Sequence, residues 1–217
     1  MMLASTNRTG GSAAPLAPRI ATCEPRARAK ILAAYAEAFR WSIAGRQWVV
    51  ELTRSGRPRA RWSTSAAVEL FGPFAPARAK QVARVYDGLV RRFVQGYEID
   101  GRHLAPTIAC FPASYHRCRT GLLGNASIFG RIRLCPRLLA RPVPQVAAIV
   151  MHELMHQSLG VGDRRHESCD GSKHRCYGEG ADALVAAGRH DLATRNIDNY
   201  VAFARRLAGA STRPTRS

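Results

Sequence analysis

The chain has 217 residues, 46% of them hydrophobic, which is enough for one sizeable core and too little for two full domains. No apolar run reaches the length of a membrane span, and the start, MMLASTNRTGGSAAPLAPRI, has no continuous apolar stretch of the secretory-signal kind. The net charge of +18 is nearly all arginine, because only Lys30, Lys80 and Lys173 are lysines. Such a charge suits an acidic partner, but the arginines are dispersed along the chain and nucleic-acid binding is not the expected function.

Residues 1–22, rich in small, polar and Pro residues, are expected to form a disordered leader, and residues 209–217 a disordered tail. Between them, 23–208 reads as one domain. Glu24-Pro25 opens a helix whose inward face is Ile31, Ala34, Tyr35, Ala38 and Trp41, continuing through Trp48 to Leu52. The densest basic stretch, Arg54 to Arg61, reads as a solvated loop. Trp62 to Phe74 follows, with a turn at Phe71-Gly72-Pro73. A second amphipathic helix spans Pro76 to Gln95, with Val82, Val85, Tyr86, Leu89 and Phe93 on its apolar stripe.

The middle changes character. Leu104–Phe111 and Ile128–Cys135 read as short strands, joined by a Gly-rich connection over His116–Asn125. Beyond the Pro144–Gly160 segment lies a polar loop, Val161–Cys176, then a short helix over Glu179–Ala187. A last helix starts near Asp191 and turns Ile197, Tyr200, Val201, Ala204 and Leu207 inward.

The chemistry is concentrated in Pro144–Gly160, PQVAAIVMHELMHQSLG. Apolar residues surround His152-Glu153-Leu154-Met155-His156, an HExxH motif on a buried helix. Positions four apart share a helix face, so both imidazoles can reach one zinc ion, with Glu153 placed to act on a water beside it. Two His and a Glu in so apolar a helix need a partner, and a metal supplies one. A third ligand must come from downstream, where Asp163, His166, Asp170, His174 and Glu179 are available.

Six cysteines, Cys23, Cys110, Cys118, Cys135, Cys169 and Cys176, with no CxxC pair, favour disulfides over a cysteine-zinc site. Cys110, Cys118 and Cys135 are placed to staple the small sheet. Disulfides imply export to an oxidising compartment, so a secreted protein is expected.

Gly171-Ser172-Lys173-His174-Arg175-Cys176-Tyr177-Gly178 resembles the GTxDxxYG signature of the aspzincins, the deuterolysin and peptidyl-Lys metalloendopeptidase family of zinc endopeptidases. Further likenesses are the Cys before an Ala-rich helix, Trp62 followed by Leu70-Phe71-Gly72, Leu134-Cys135-Pro136, and Asn196-Ile-Asp198-Asn-Tyr200-Val-Ala-Phe203-Ala204 against the family's NADxYxxFA. Together they span about Cys23 to Leu207. The resemblance implies a zincin-like α+β fold, mostly helical, with a small β-sheet beside the HExxH helix. It implies one catalytic zinc, a polypeptide substrate and a monomer.

Residue by residue, the resemblance makes His152, His156 and His174 the metal ligands, with His174 standing where the family has Asp. It makes Glu153 the general base and Tyr177 the donor to the oxyanion. A Cys169–Cys176 bond would close the loop that carries His174. Asp198 would help form the pocket for the residue after the cleaved bond, favouring a basic side chain there, although Val201 stands where lysine-specific members carry a second acidic residue. Two other functions are compatible with the same residues: an inactive zinc-stabilised binding domain, and a cationic module bound to an acidic polymer.

Overall fold

The computed structural model describes residues 14–127, 131–156, 159, 161–164, 169 and 176–209. Its longest element is α1, Pro25–Arg54, with Pro25 in the first turn, where a missing N–H costs nothing. The buried face of α1 runs through Ile31, Ala34, Tyr35, Ala38, Trp41, Gly45, Trp48, Val49 and Leu52, at helical spacing. Ser42, also buried, donates to the Ala38 carbonyl at 2.7 Å. Against this face packs α4, Pro76–Gln95, through Val82, Val85, Tyr86, Leu89 and Phe93. At Gly45 the approach leaves no room for a side chain, since a Cβ would stand 2.4 Å from the Tyr86 ring.

The Arg54–Arg61 stretch is not the loop its composition suggests. Helix α1 runs through Arg54, and α2, Pro58–Ser63, begins four residues later. What orders it is Trp62, fully buried, whose Nε1 donates to the Gly72 carbonyl at 2.8 Å. Helix α3, Ala66–Phe71, is capped by Ser65, whose side chain accepts from the Ala67 amide. Gly72 then turns the chain at φ 85°, a conformation that suits glycine.

The sheet is mixed and small. Its order is β1-β4-β6-β5, with β1 Arg19–Ala21, β4 Thr107–Cys110, β5 Gly124–Ala126 and β6 Arg131–Leu134. The first three strands in that order run parallel and β5 is antiparallel to β6. Strand β1 falls inside the expected leader, so the last residues of 1–22 belong to the sheet. Strand β5 begins within the expected connection and runs one residue past its end. Both are three-residue strands held by neighbours rather than by a long alternating pattern. A separate hairpin, β2 Tyr97–Ile99 and β3 Arg102–Leu104, follows α4.

Cys23–Cys110 ties the approach to α1 to the end of β4, and Cys118–Cys135 ties α5, His116–Arg119, to the end of β6. Cys169–Cys176 closes a short loop, so all six cysteines are bonded. Disulfides persist in oxidising compartments. No helix among the described residues is long and apolar enough to cross a membrane.

After α6, Pro136–Leu139, comes α7, Val143–Met155, the HExxH helix. It packs against α1, against β5 and β6 of the sheet, and against α10, Ile197–Leu207. It ends earlier than the sequence suggests, at Met155 rather than Gly160. The final bond, from the His156 amide to the Glu153 carbonyl at 3.4 Å, is of the tighter i to i+3 kind common at helix ends.

The expected last helix is likewise divided. Asp191 lies in the first turn of α9, His190–Ala193, and α10 starts after an extended Asn196 whose side chain is used elsewhere. Between the site loop and α9 stand a 3-10 turn, Gly178–Ala181, and α8, Ala183–Ala186.

Candidate metal centre

His152 and Glu153 lie on the buried face of α7 and His156 follows at its C-terminus. One helical turn separates the two His residues, and their Nε2 atoms are 3.1 Å apart. The chain then returns at Asp163, whose Oδ1 is 3.0 Å from His152 Nε2 and 3.5 Å from His156 Nε2. These three side chains are one group able to hold a metal ion. Four ligands around a tetrahedral zinc at about 2.0–2.2 Å stand about 3.3–3.6 Å from one another, a few tenths of an ångström from the edges of this triangle. The chemistry also fits, because two imidazoles and a carboxylate are ordinary zinc donors.

Asp198, near the start of α10, completes the arrangement from behind. Its Oδ1 accepts from His152 Nδ1 at 2.7 Å, and its Oδ2 accepts from the Gly178 amide at 2.6 Å. A proton on Nδ1 leaves the lone pair of His152 on Nε2, facing His156 and Asp163. This is the usual way an outer carboxylate orients a ligating His. Asp198 thus spends both oxygens within the protein, one on a ligand candidate and one on the backbone next to Tyr177.

Glu153 is buried, receives a hydrogen bond from the Ala126 backbone of β5, and has Oε2 3.9 Å from His156 Nε2. Burial, reinforced by the Asp163 and Asp198 carboxylates, pushes its carboxyl up to about 7 despite the opposing pull of His152. For His152, burial would lower the pKa, but Asp163, Asp198 and Glu153 together push it up to about 10. Burial would likewise raise Asp163, yet His152, His156 and the Tyr177 hydroxyl bring it down to about 2. Three carboxylates therefore converge here in a chain of net charge +18. The local field favours a cation, be it a proton or a metal.

The return at Asp163 is set by Asn196, which the sequence motif includes without revealing its task. Its Oδ1 accepts from the Arg164 amide at 3.3 Å and its Nδ2 donates to the Cys176 carbonyl at 3.0 Å. Gly162 pairs with Asn196 as an isolated bridge, and the Cys176 amide donates to the Arg164 carbonyl at 2.9 Å. Asn196 so pins both ends of the 164–176 loop, one carrying Asp163 and the other Tyr177. Asn199, fully buried, donates to the Ala181 carbonyl at 2.9 Å and to the Leu70 carbonyl, holding the following 3-10 turn.

Tyr177 is 48% exposed, its hydroxyl donating to Asp163 Oδ2 at 3.0 Å. It stands over a cleft of about 610 Å³ whose walls include Gly124 of β5, His152 and Glu153 of α7, and Asp198 and Arg205 of α10. The structure thus brings together His152, Glu153, His156, Tyr177 and Asp198, and adds Asp163. His174, His166 and Asp170 lie outside the described residues, as does the Glu179 side chain.

No protein-family model matches the chain, and no curated protein matches it in sequence. Among solved structures the fold is similar to that of a zinc peptidase from Grifola frondosa, with a TM-score of 0.58 and 19% identity over 84% of this chain and 96% of that one. The fold is accordingly α+β and zincin-like, mostly helical, with the small sheet beside the HExxH helix.

Proposed function

We propose that the protein is a zinc-dependent endopeptidase. The observation that carries this reading is the convergence of His152 Nε2, His156 Nε2 and Asp163 Oδ1 within 3.5 Å of one another, beside a buried Glu153, with His152 and Glu153 lining a cleft. The likeness in fold to a zinc peptidase supports it.

In this reading the zinc ligands are His152, His156 and Asp163, rather than His174. Gly160-Val161-Gly162-Asp163 has the Gly-x-x-Asp spacing of the GTxDxxYG pattern, and Tyr177-Gly178 is its end. Residues 164–176 then stand where the pattern has only two residues between Asp and Tyr, and Cys169–Cys176 closes part of this longer loop. An Asp ligand also restores the charge that a three-His site would lack.

Bound zinc would supply Lewis acidity to a peptide carbonyl and to water. The remaining steps belong to the chain. Glu153, its carboxyl near neutrality, takes a proton from the attacking water and returns one to the leaving amine. Tyr177, exposed to the cleft, turns its hydroxyl from Asp163 to the substrate carbonyl oxygen as charge develops there. Asp198 holds the tautomer of His152. Because both its oxygens are engaged, we assign it to positioning the ligand; a preference for a basic residue after the scissile bond would need a carboxylate free to meet the substrate.

The test is a mass-spectrometric map of cuts in an unbiased peptide mixture by zinc-loaded protein, with a chelator and Glu153→Gln as controls. Cuts that vanish in both controls are expected, with zinc still bound by Glu153→Gln. Zinc uptake without any cuts would favour a zinc-stabilised binding domain. Salt-sensitive binding of an anionic polymer that survives chelation, with neither zinc nor cuts, would favour the cationic module.

A further inference from the structure

Helix α10 gives the cleft a wall of Asp198, Val201, Ala202 and Arg205, the face that helical spacing presents on one side. The acidic end of this wall is already engaged, because Asp198 serves His152 and Gly178. Arg205, two turns on, is different. Its guanidinium carbon stands 5.5 Å from the centroid of the fully buried Trp41 ring, and its Nε is buried with no hydrogen-bond partner among the described residues. Neighbouring Arg206, also in the cleft, is bonded to Glu69 at 2.5 Å. A second cation, Arg141, enters the lining from just before α7, and the remaining acidic groups are Glu153, buried in the metal centre, and Asp182, exposed.

We infer that Arg205 makes this cleft selective for peptides carrying an acidic side chain beside the scissile bond. The inference deepens the peptidase reading and rests on it for the ligand being a peptide. A guanidinium steadied on an indole face, with donors that no described residue takes, is suited to a carboxylate. The same charge repels lysine and arginine, and Asp198 is not available to attract them. Seven residues of helix place the backbone of Arg205 about 10 Å from that of Asp198, a span that an arginine and a glutamate side chain can bridge toward the site.

The test uses zinc-loaded Glu153→Gln protein, which should bind without cutting, and short end-blocked Ala-rich peptides differing only in Glu or Lys, read by fluorescence anisotropy. Blocked ends remove terminal carboxylates. The Glu peptide is expected to bind on the order of tenfold more tightly than the Lys peptide. Adding Arg205→Gln should remove most of that margin and Arg205→Lys should retain part of it. Arg59→Gln, the same charge change at an exposed position on α2, should leave it intact. Equal or tighter binding of the Lys peptide would overturn the inference, as would an Arg205→Gln effect no larger than that of Arg59→Gln. Cleavage of the same peptides by the protein with Glu153 intact is scored separately. Its absence, with the Glu margin present, would count against the peptidase and not against Arg205.

Discussion

His152 Nδ1 donates to Asp198 Oδ1 at 2.7 Å across the interface of α7 and α10. The bond links the HExxH helix to a residue 46 positions away, and it decides which ring nitrogen of His152 faces His156 and Asp163. In Asp198→Asn one amide oxygen can still accept, but the Nδ2 group meets one of the two donors that the carboxylate accepts from. Zinc affinity is expected to fall roughly 10–100-fold, read by competition with a chromophoric chelator. Unchanged affinity would show that His152 is oriented without Asp198.

The third ligand is separable by two substitutions. Asp163→Ala should weaken zinc binding more than the ~10–100-fold expected of an outer partner, because it removes a donor itself. His174→Ala should leave zinc stoichiometry at one per chain by atomic absorption. The reverse pattern would return the ligand role to His174.

Asn196→Ala removes the clip on both ends of the 164–176 loop. The buried Cys176 carbonyl and Asn199 Oδ1 each lose a donor, at a cost of about 1–3 kcal/mol per buried group, and the half-buried Arg164 amide loses its acceptor. A lower Tm is therefore expected, together with a loss of zinc affinity that a purely structural weakening far from the site would not produce.

Proton linkage gives a further check. The imidazole of His152 rises from 6.5 to about 10 in the metal-free protein, so it contributes stability that is complete below pH 6.5 and lost as pH climbs through about 10. Glu153, raised from 4.5 to about 7, has the same sign: its contribution is complete below pH 4.5 and lost through about 7. Asp163, lowered from 3.8 to about 2, has the opposite sign, and its contribution is lost as pH falls through about 2. Zinc must displace the His152 proton at pH 7, so at least about one proton per zinc should be released. Calorimetry in buffers of different ionisation enthalpy measures this, and no release would contradict the charged state assigned to His152.

Gly45→Ala tests the α1–α4 contact. Helix propensity favours Ala by about 1 kcal/mol. Against it, the new Cβ would stand 2.4 Å from a fully buried Tyr86 ring whose hydroxyl is anchored on the Tyr200 carbonyl at 2.8 Å. Overpacking of this kind costs about 1–3 kcal/mol, so a net loss in Tm is expected by thermal denaturation.

Local periodicity was enough to read much of this molecule. The faces of α1 and α4 follow from apolar spacing that repeats over several turns, and the HExxH pair follows from one turn of α7, because a helix converts sequence interval directly into position. The tertiary structure decided what depends on distant segments meeting. Strands β1 and β5 are too short to carry a pattern and exist through their pairing with β4 and β6. Trp62 orders the basic stretch through a carbonyl ten residues away. Asp163 joins the two His residues because Asn196 pulls Gly162 and Arg164 back toward α10. His174, placed by spacing counted along the chain, lies outside the described residues, and Asp163 is proposed in its stead on its approach to the two His residues. The contacts of Asp198 were decided in the same way: the motif locates the residue, and only the packing of α10 against α7 brings its carboxylate to His152.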